Sequence, residues 1–178
     1  MSSIEEIETY CSQYQQENGS NFLAISATIN GYHNYRIRPL VGFQIILNCI
    51  REPNNPHDTN AVKVVVPVMR QLREFSDLVI RENPRQTVED IAGKTVGRVP
   101  AVVSATLSPN IDAKIVTRVY CVYVGSMRHG NSALGDGPKL NCIYFVHPYN
   151  EGLKERLLQS NEFACHIVLK RDVNLVLF

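Results

Sequence analysis

Residues 51–64 read REPNNPHDTNAVKV and join two apolar runs, residues 43–50 and 61–66. Both runs are rich in β-branched or aromatic residues, so we expect the segment to connect two strands. Pro53 and Pro56 each fix one φ angle, and the short side chains of Asn, Asp and Thr can hydrogen-bond to nearby backbone. This segment, called the polar knot below, is therefore predicted to hold one rigid shape, as a binding loop requires.

The polar knot resembles the signature of the HIRAN domain family. The family pattern is Arg, an acidic residue, Pro, a short Asn-Pro turn, an aromatic residue, Asp, any residue, Asn, Ala, an aliphatic residue and Lys-Val, followed later by a Val-Gly strand. The chain follows this pattern except that His57 replaces the aromatic residue, and residues 93–99 (GKTVGRV) supply the Val-Gly strand. The resemblance spans residues 27–147 and is strongest in 51–64 and 93–99.

The resemblance implies an α+β fold. The expected architecture is a small antiparallel barrel-like sheet of the OB or SH3 kind, with about six strands and two or three short helices. Residues 1–20 are predicted to form an N-terminal helical extension, because Ser3 and Glu6 make a capping-box pattern and apolar residues recur at helical spacing over 4–17. Residues 21–178 are predicted to form a single HIRAN-like domain.

Other segments complete the predicted organisation. Apolar residues at intervals of four, three and four indicate a helix over 68–80. The resemblance implies that this helix lies in an insertion at about 68–92, because the family has a tighter connection before its Val-Gly strand. Pro100 can open a short helix that the Ser-Pro pair at 108–109 would stop. The glycine-rich residues 125–138 predict a flexible loop. A short helix is predicted over 151–159, and strands over 22–29, 43–50, 61–66, 112–124, 140–146, 163–169 and 173–178.

Composition and charge narrow the class of protein. The chain has 178 residues, 44% hydrophobic content and a net charge of +1, which fits one packed domain and argues against a surface that coats duplex DNA. Residues 1–20 hold four glutamates and no Lys or Arg, so the remainder carries 18 basic against 13 acidic groups. No apolar run of about 18 residues and no signal-peptide pattern occurs. We therefore expect an intracellular protein, nuclear or cytoplasmic, without a membrane span.

Neither a cofactor nor a metal site is predicted. The five cysteines lie mostly in apolar runs without paired spacing, which favours reduced core thiols over disulfides or zinc ligands. Residues 92–95 (AGKT) invite comparison with a P-loop, but the first glycine of that motif would fall on Val88. A metal-dependent hydrolase using Asp58 and His57 would need further ligands at suitable spacing, and none is found. The sequence thus favours a protein that is not an enzyme.

Asp58 and His57 each have two interpretations. From the residues alone, an Asp in a turn most often bonds its own backbone, which would make Asp58 a cap of the knot. The resemblance instead implies that Asp58 contacts the free 3′-hydroxyl of single-stranded DNA. His57 stands where the family has an aromatic residue that lines the pocket for the terminal nucleotide. Imidazole can still stack on a base, with less area, or His57 is simply an exposed turn residue.

The remaining candidate DNA-binding residues come from three places in the chain. Tyr35 and Arg36 lie in a segment of aromatic and basic residues, which suits unstacked bases and phosphates. Asn60 belongs to the polar knot. Arg98 matches a basic position after the Val-Gly pair and is a candidate phosphate ligand. Just beyond it a DNA-binding family member has a lysine, where this chain has Pro-Ala at 100–101.

These residues support two hypotheses about function. In the first, the chain is a stand-alone, non-enzymatic module that recognises single-stranded DNA with a free 3′ end. In the second, it is a protein-interaction module that keeps the fold but has lost the DNA pocket. The Pro-Ala pair at 100–101 and the near-neutral net charge favour the second. The predicted helix over 68–80 would then offer a surface for a protein partner.

Overall fold

The computed structural model of the chain describes residues 3–130, 133, 137–160, 167–170 and 173–178. Helices and strands alternate irregularly in this part, and each of its helices is too short or too polar to cross a membrane. The helices are α1 (Ile4–Asn18), α2 (Tyr32–Tyr35), α3 (Val88–Ile91), α4 (Ala101–Asp112) and α5 (Glu151–Leu158). The strands are β1 (Leu23–Ile29), β2 (Leu47–Arg51), β3 (Val62–Val65), β4 (Val79–Glu82), β5 (Arg85–Thr87), β6 (Thr95–Arg98), β7 (Val116–Arg128), β8 (Lys139–Pro148), β9 (Ile167–Lys170) and β10 (Val173–Leu177).

Eight of the described strands form one sheet, in the order β6-β3-β2-β7-β8-β1-β10-β9. Neighbouring strands in it are antiparallel except β1 and β10, which run parallel. Strands β4 and β5 pair separately as a hairpin. The predicted α+β class is confirmed, but the sheet has more strands than the six expected, because the C-terminal strands extend it beyond β1.

The predicted barrel is only partly confirmed. The amide of Asn30 donates to the carbonyl of Arg98 at 2.9 Å, and the amide of Arg98 donates back to the carbonyl of Asn30 at 2.8 Å. This single bridge joins the end of β1 to β6, so the six strands from β6 to β1 bend round until their outer ends meet. Within the described residues, no continuous strand pairing closes a barrel there.

Gly97 permits the approach of β6 to β1. A Cβ atom at this position would lie 2.3 Å from the carbonyl oxygen of Asn30 and 2.7 Å from Cγ2 of Ile29. The first of these neighbours is backbone, which cannot rotate away as a flexible side chain can. The glycine of the Val-Gly strand is therefore required by packing, and any side chain there must push β1 and β6 apart.

We predict that Gly97→Ala lowers the free energy of unfolding by about 1–3 kcal/mol, the usual cost of overpacking a core. Gly152→Ala is the matched control, because its added Cβ would meet nothing closer than 3.5 Å and lies in α5. Alanine favours helix over glycine, so the control should be neutral or stabilising. Urea unfolding of the two variants measures the difference. Equal stability of both would show that β1 and β6 do not need the close approach.

Helix α1 packs on one face of β1 and β8. Its N-terminus follows the predicted cap, since Ser3 Oγ accepts a hydrogen bond from the amide of Glu6 at 3.1 Å. Tyr14 stacks on Phe145 with ring centroids 3.9 Å apart, and its hydroxyl forms a hydrogen bond with Nε2 of His147. The other face of the same strands packs in the main core with α4. Strands β1 and β8 are thus buried on both faces and form the centre of the sheet.

Burial of His147 makes the packing of α1 sensitive to acid. Burial and, to a lesser extent, the charge of Arg118 lower the pKa of His147 to about 4 from its ordinary 6.5. Between these two values the unfolded chain binds more protons at this site than the folded chain does. The free energy of unfolding therefore decreases as the pH falls from 6.5 to about 4.

We predict that His147→Gln reduces this acid sensitivity. Glutamine keeps an acceptor for the Tyr14 hydroxyl but takes up no proton. The variant should lose less of its free energy of unfolding than the parent between pH 6.5 and 4, the two pKa values of His147. Urea unfolding at several pH values provides the comparison. Parallel pH profiles for parent and variant would contradict the assigned role of His147.

The helix predicted over 68–80 is wrong. Two 3₁₀ turns, Met69–Gln71 and Arg73–Phe75, occupy this segment and lead into β4. Leu72 is buried whereas Val68 is 46% exposed, so the regularly spaced apolar residues do not form one buried stripe. No side chain caps either turn. The protein-partner surface that was expected on such a helix is therefore not formed.

Helix α4 also differs from its prediction, because it continues through Pro109 to Asp112. Proline removes one backbone donor from a helix and usually ends or kinks it. Here Leu107 and Ser108, just before it, are fully buried, and Ser108 Oγ donates to the carbonyl of Asn60 at 2.6 Å. These tertiary contacts hold α4 against the core and outweigh the tendency of Pro109 to end the helix.

Two other predicted segments fall partly outside the described residues. The loop predicted at 125–138 begins too early, since residues 125–128 belong to β7. Within that loop, residues 131, 132 and 134–136 lie outside the described part of the chain. The strand predicted over 163–169 corresponds to β9 from Ile167 onward, and its first four residues also lie outside that part.

Candidate nucleic-acid interface

The polar knot connects β2 to β3, as predicted, and its own side chains close it. Oδ1 of Asn55 accepts hydrogen bonds from the amides of His57 at 2.9 Å and Asp58 at 3.2 Å. Oδ1 of Asp58 accepts from the amide of Asn60 at 2.8 Å, and the carbonyl of Asp58 accepts from the amide of Ala61 at 3.1 Å. Two short side chains thus accept hydrogen bonds from three backbone amides of the knot, which gives it a defined shape.

Helix α4 anchors the knot from one side. Ser108 Oγ donates to the carbonyl of Asn60, as described above. The guanidinium of Arg51 donates to both carboxylate oxygens of Asp112 at 3.1 and 2.9 Å, and through Nη1 to the carbonyl of Ala61 at 3.1 Å. These hydrogen bonds from Arg51 hold the pKa of Asp112 below its ordinary value. The knot is therefore fixed to a helix as well as to two strands.

We predict that Ser108→Ala loosens the knot. Losing the bond to Asn60 should lower the free energy of unfolding by about 1 kcal/mol. It should also speed hydrogen exchange at the amides of Asn60 and Ala61. Ser104→Ala is the matched control, because Ser104 is equally buried in α4 but its hydroxyl donates within the helix, to the carbonyl of Ala101. Identical exchange rates in the knot for both variants would show that Ser108 does not anchor it.

An open groove of about 550 Å³ borders the knot. Both prolines and two asparagines of the knot form one wall. The charged and aromatic residues of its lining are Arg51, Glu52, His57, Lys63 and Arg98. Arg51 is paired with Asp112, and Arg98 is paired with Glu52. This leaves the charge of Lys63 without an ion pair in the described part of the chain, so the groove attracts anions.

Arg98 links the groove to α2. Its Nε donates to Glu52 Oε2 at 2.8 Å and its Nη2 to Oε1 at 3.3 Å. Its guanidinium carbon also lies 5.7 Å from the centre of the Tyr35 ring, a cation–π distance. The hydrogen bonds from Arg98 lower the pKa of Glu52, so this carboxylate stays ionised at neutral pH. The Arg98 side chain nonetheless remains 40% exposed and can still meet a ligand.

Lys63 is a groove residue that the sequence analysis did not single out. It pairs with Arg98 across β3 and β6, and it forms no ion pair with any residue that the structure describes. The sequence does indicate an outward-facing Lys63, because this residue lies between the apolar Val62 and Val64 in a predicted strand. Period-two alternation places its side chain on the face opposite the core. Lys63 is therefore the groove cation most available to a phosphate.

The structure brings three of the predicted site residues together. His57 and Arg98 both line the groove, and Tyr35 reaches it through its contact with Arg98. His57 is exposed, so its imidazole is accessible to a base. The Pro-Ala pair that replaces the family lysine forms the start of α4 and contributes no charge.

The other three predicted residues lie outside the groove lining. Asp58 and Asn60 are half-buried in the knot, one and three residues after His57 in the chain. Asp58 caps the knot through Oδ1, while its Oδ2 has no hydrogen-bond partner in the described part of the chain. Arg36 lines a separate, smaller cavity. Among the described residues, no group of three or more His, Cys, Asp or Glu is placed to hold a metal.

Comparisons with known proteins place the chain in a family. A sequence model of the HIRAN domain matches residues 22–132, more than half of the chain. The crystal structure of the HIRAN domain of human HLTF is 18% identical, covers 76% of this chain and 83% of its own, and superposes with a TM-score of 0.44. No curated protein matches the sequence. HIRAN domains are generally DNA-binding modules. On the strength of the sequence-model match, the chain belongs to the HIRAN domain family.

Proposed function

We propose that the chain is a non-enzymatic module that binds single-stranded DNA with a free 3′-hydroxyl end in the groove beside the polar knot. The observation that carries this proposal is the cationic lining of the groove, in which Lys63 has no ion pair among the described residues and the Arg98 side chain stays 40% exposed beside Glu52. Phosphate contacts supply most of the affinity for nucleic acid and position the strand. Membership in a family of DNA-binding modules supports the same conclusion.

Each lining residue suits a different part of a nucleotide. Lys63 is unpaired among the described residues and offers three donors to a phosphate. His57 is exposed and can stack on an unpaired base, as aromatic side chains do in single-strand sites. Arg98 is held in place by Glu52 and Tyr35, which lowers the entropy lost when it binds. A strand end rather than a duplex fits this small groove and the net charge of +1.

Asp58 can serve both as cap and as ligand, because a carboxylate has two oxygens. Oδ1 is fixed by the amide of Asn60, so the orientation of Oδ2 is fixed as well. In this proposal, Oδ2 accepts the hydrogen bond of the 3′-hydroxyl. A fixed acceptor left without its donor costs about 1–3 kcal/mol, which gives the site its preference for a free end.

The alternative of a protein-interaction module receives no specific support. It relied on a partner surface formed by a helix over 68–80, and the structure has two 3₁₀ turns there instead. The lost family lysine favoured it as well, but Lys63, the cross-strand partner of Arg98, lines the groove and supplies a cation there. We therefore retain DNA-end binding as the proposed function.

We predict that the chain binds a strand with a 3′-hydroxyl more tightly than a dideoxy-terminated strand. The dideoxy end lacks the donor and adds no charge, so the expected difference is about 1–3 kcal/mol, or roughly 5- to 150-fold in Kd. Asp58→Asn should abolish the preference, because the Asn side chain can still cap the knot through its oxygen but turns a donor toward the ligand. Fluorescence anisotropy with strands labelled at the 5′ end provides the affinities.

Two matched variants make this experiment specific. Lys63→Gln should weaken binding of both strands equally and lower the salt dependence, since it removes a phosphate contact. Asp77→Asn makes the same change as Asp58→Asn at an exposed position outside the groove and should have no effect. Equal affinity of the parent for both ends, or a preference that survives in Asp58→Asn, would refute recognition of the 3′-hydroxyl.

A further inference from the structure

A second cavity, of about 100 Å³, lies where the segment after α2 meets the β4–β5 hairpin. We call it the arginine pocket. Its lining consists of Tyr32, Arg36, Arg38, Ile80, Arg81 and Gln86. Two elements that are far apart in sequence thus contribute arginines to one small space.

Three arginines and no carboxylate line the arginine pocket. Within the described residues, none of these arginines forms an ion pair. By contrast, Arg51 and Arg98 each form an ion pair with a carboxylate, Asp112 and Glu52 respectively. Like charges that share a cavity repel one another unless an anion lies between them. The pocket therefore has the composition of an anion site.

The backbone determines which side chains enter the pocket. Arg81 and Gln86 are cross-strand partners in the hairpin and both line it, whereas the next pair, Glu82 and Arg85, does not. On the opposite wall, Arg36 ends α2 in the left-handed conformation with φ 56°, and its amide donates to the carbonyl of Tyr32. A left-handed conformation is unfavourable for a residue with a Cβ, so this position of Arg36 is imposed by the fold.

The end of α2 connects the arginine pocket to the groove. Tyr35 of α2 contacts Arg98, which lines the groove, and the next residue, Arg36, lines the pocket. We therefore expect a single strand that extends from the groove past Tyr35 to approach the pocket. Guanidinium groups match the oxygens of a phosphate with paired hydrogen bonds.

We propose that the arginine pocket binds a backbone phosphate of the same DNA strand whose 3′ end lies in the groove. This inference rests on the proposed function and extends it to a second contact. It gives the β4–β5 hairpin a role, because the hairpin supplies Arg81 and Gln86 to the pocket. The bound strand then runs from the knot, past Tyr35, to the hairpin.

Strand length separates the two sites in an experiment. The full 178-residue chain is titrated with 5′-labelled thymidine strands of about twelve and about two nucleotides, both with free 3′ ends. Arg81→Gln should weaken binding of the long strand about fivefold or more, and reduce its log–log salt slope by about one. The same variant should leave binding of the short strand unchanged, since that strand fills only the groove.

Arg85→Gln is the matched control, because it removes the same charge from the same hairpin but lies outside the pocket lining. It should change the affinity for the long strand much less than Arg81→Gln does. Both arginines are exposed, so neither change should affect folding, and thermal unfolding of the two variants verifies this.

The possible failures are distinguishable. If Arg81→Gln and Arg85→Gln weaken binding of the long strand equally, the arginine pocket holds no phosphate of the strand. The proposal of end binding in the groove still stands in that case. If the unaltered chain binds neither strand, the proposed function fails and this inference fails with it. If inorganic phosphate binds the unaltered chain but not Arg81→Gln, and the long strand binds both equally, the pocket takes a free anion instead. That result would also overturn the proposal.

Discussion

The close approach of β6 to β1 is the constraint on which the rest of the candidate site depends. Because Gly97 has no side chain, the backbones of Asn30 and Arg98 come near enough to exchange two hydrogen bonds. The chain leaves β1 at Asn30 and forms α2 directly afterwards, so α2 lies beside β6. Tyr35 consequently contacts Arg98, and Arg98 reaches Glu52 in the knot. One missing side chain thus determines how α2, β6 and the knot come together.

Rigidity of the knot gives this arrangement its proposed specificity. Side chains within the knot satisfy its backbone, and Arg51 and Ser108 connect it to α4. A preorganised loop loses little conformational entropy when a ligand binds, so more of the contact energy appears as affinity. The same rigidity lets Asp58 bond its own loop through one oxygen and keep the other at a fixed orientation. Structural capping and ligand recognition are therefore compatible roles for one carboxylate.

Local patterns predicted the parts of the structure that local forces control. The Ser3 cap of α1 and the turn residues of the knot act within a few residues of themselves, and both appear as expected. The prediction of a helix over 68–80 was wrong. The apolar spacing matches a helix, but only some of those residues, Leu72 among them, are buried in the core. Pro109 was expected to end α4, but the tertiary contacts of the buried helix keep it helical to Asp112. The approach of Arg81 to Arg36 joins distant segments, and no spacing within either one indicates it.

The central claim is that a DNA strand end binds in the groove between the knot and β6. Backbone amide chemical shifts, recorded while a short single strand with a free 3′ end is added to the chain, test this claim most directly. The account predicts that the largest changes occur at the groove residues His57, Lys63 and Arg98, with α1 and α5 unaffected. Changes confined to α1 or α5, or no changes at a saturating concentration of the strand, would contradict it.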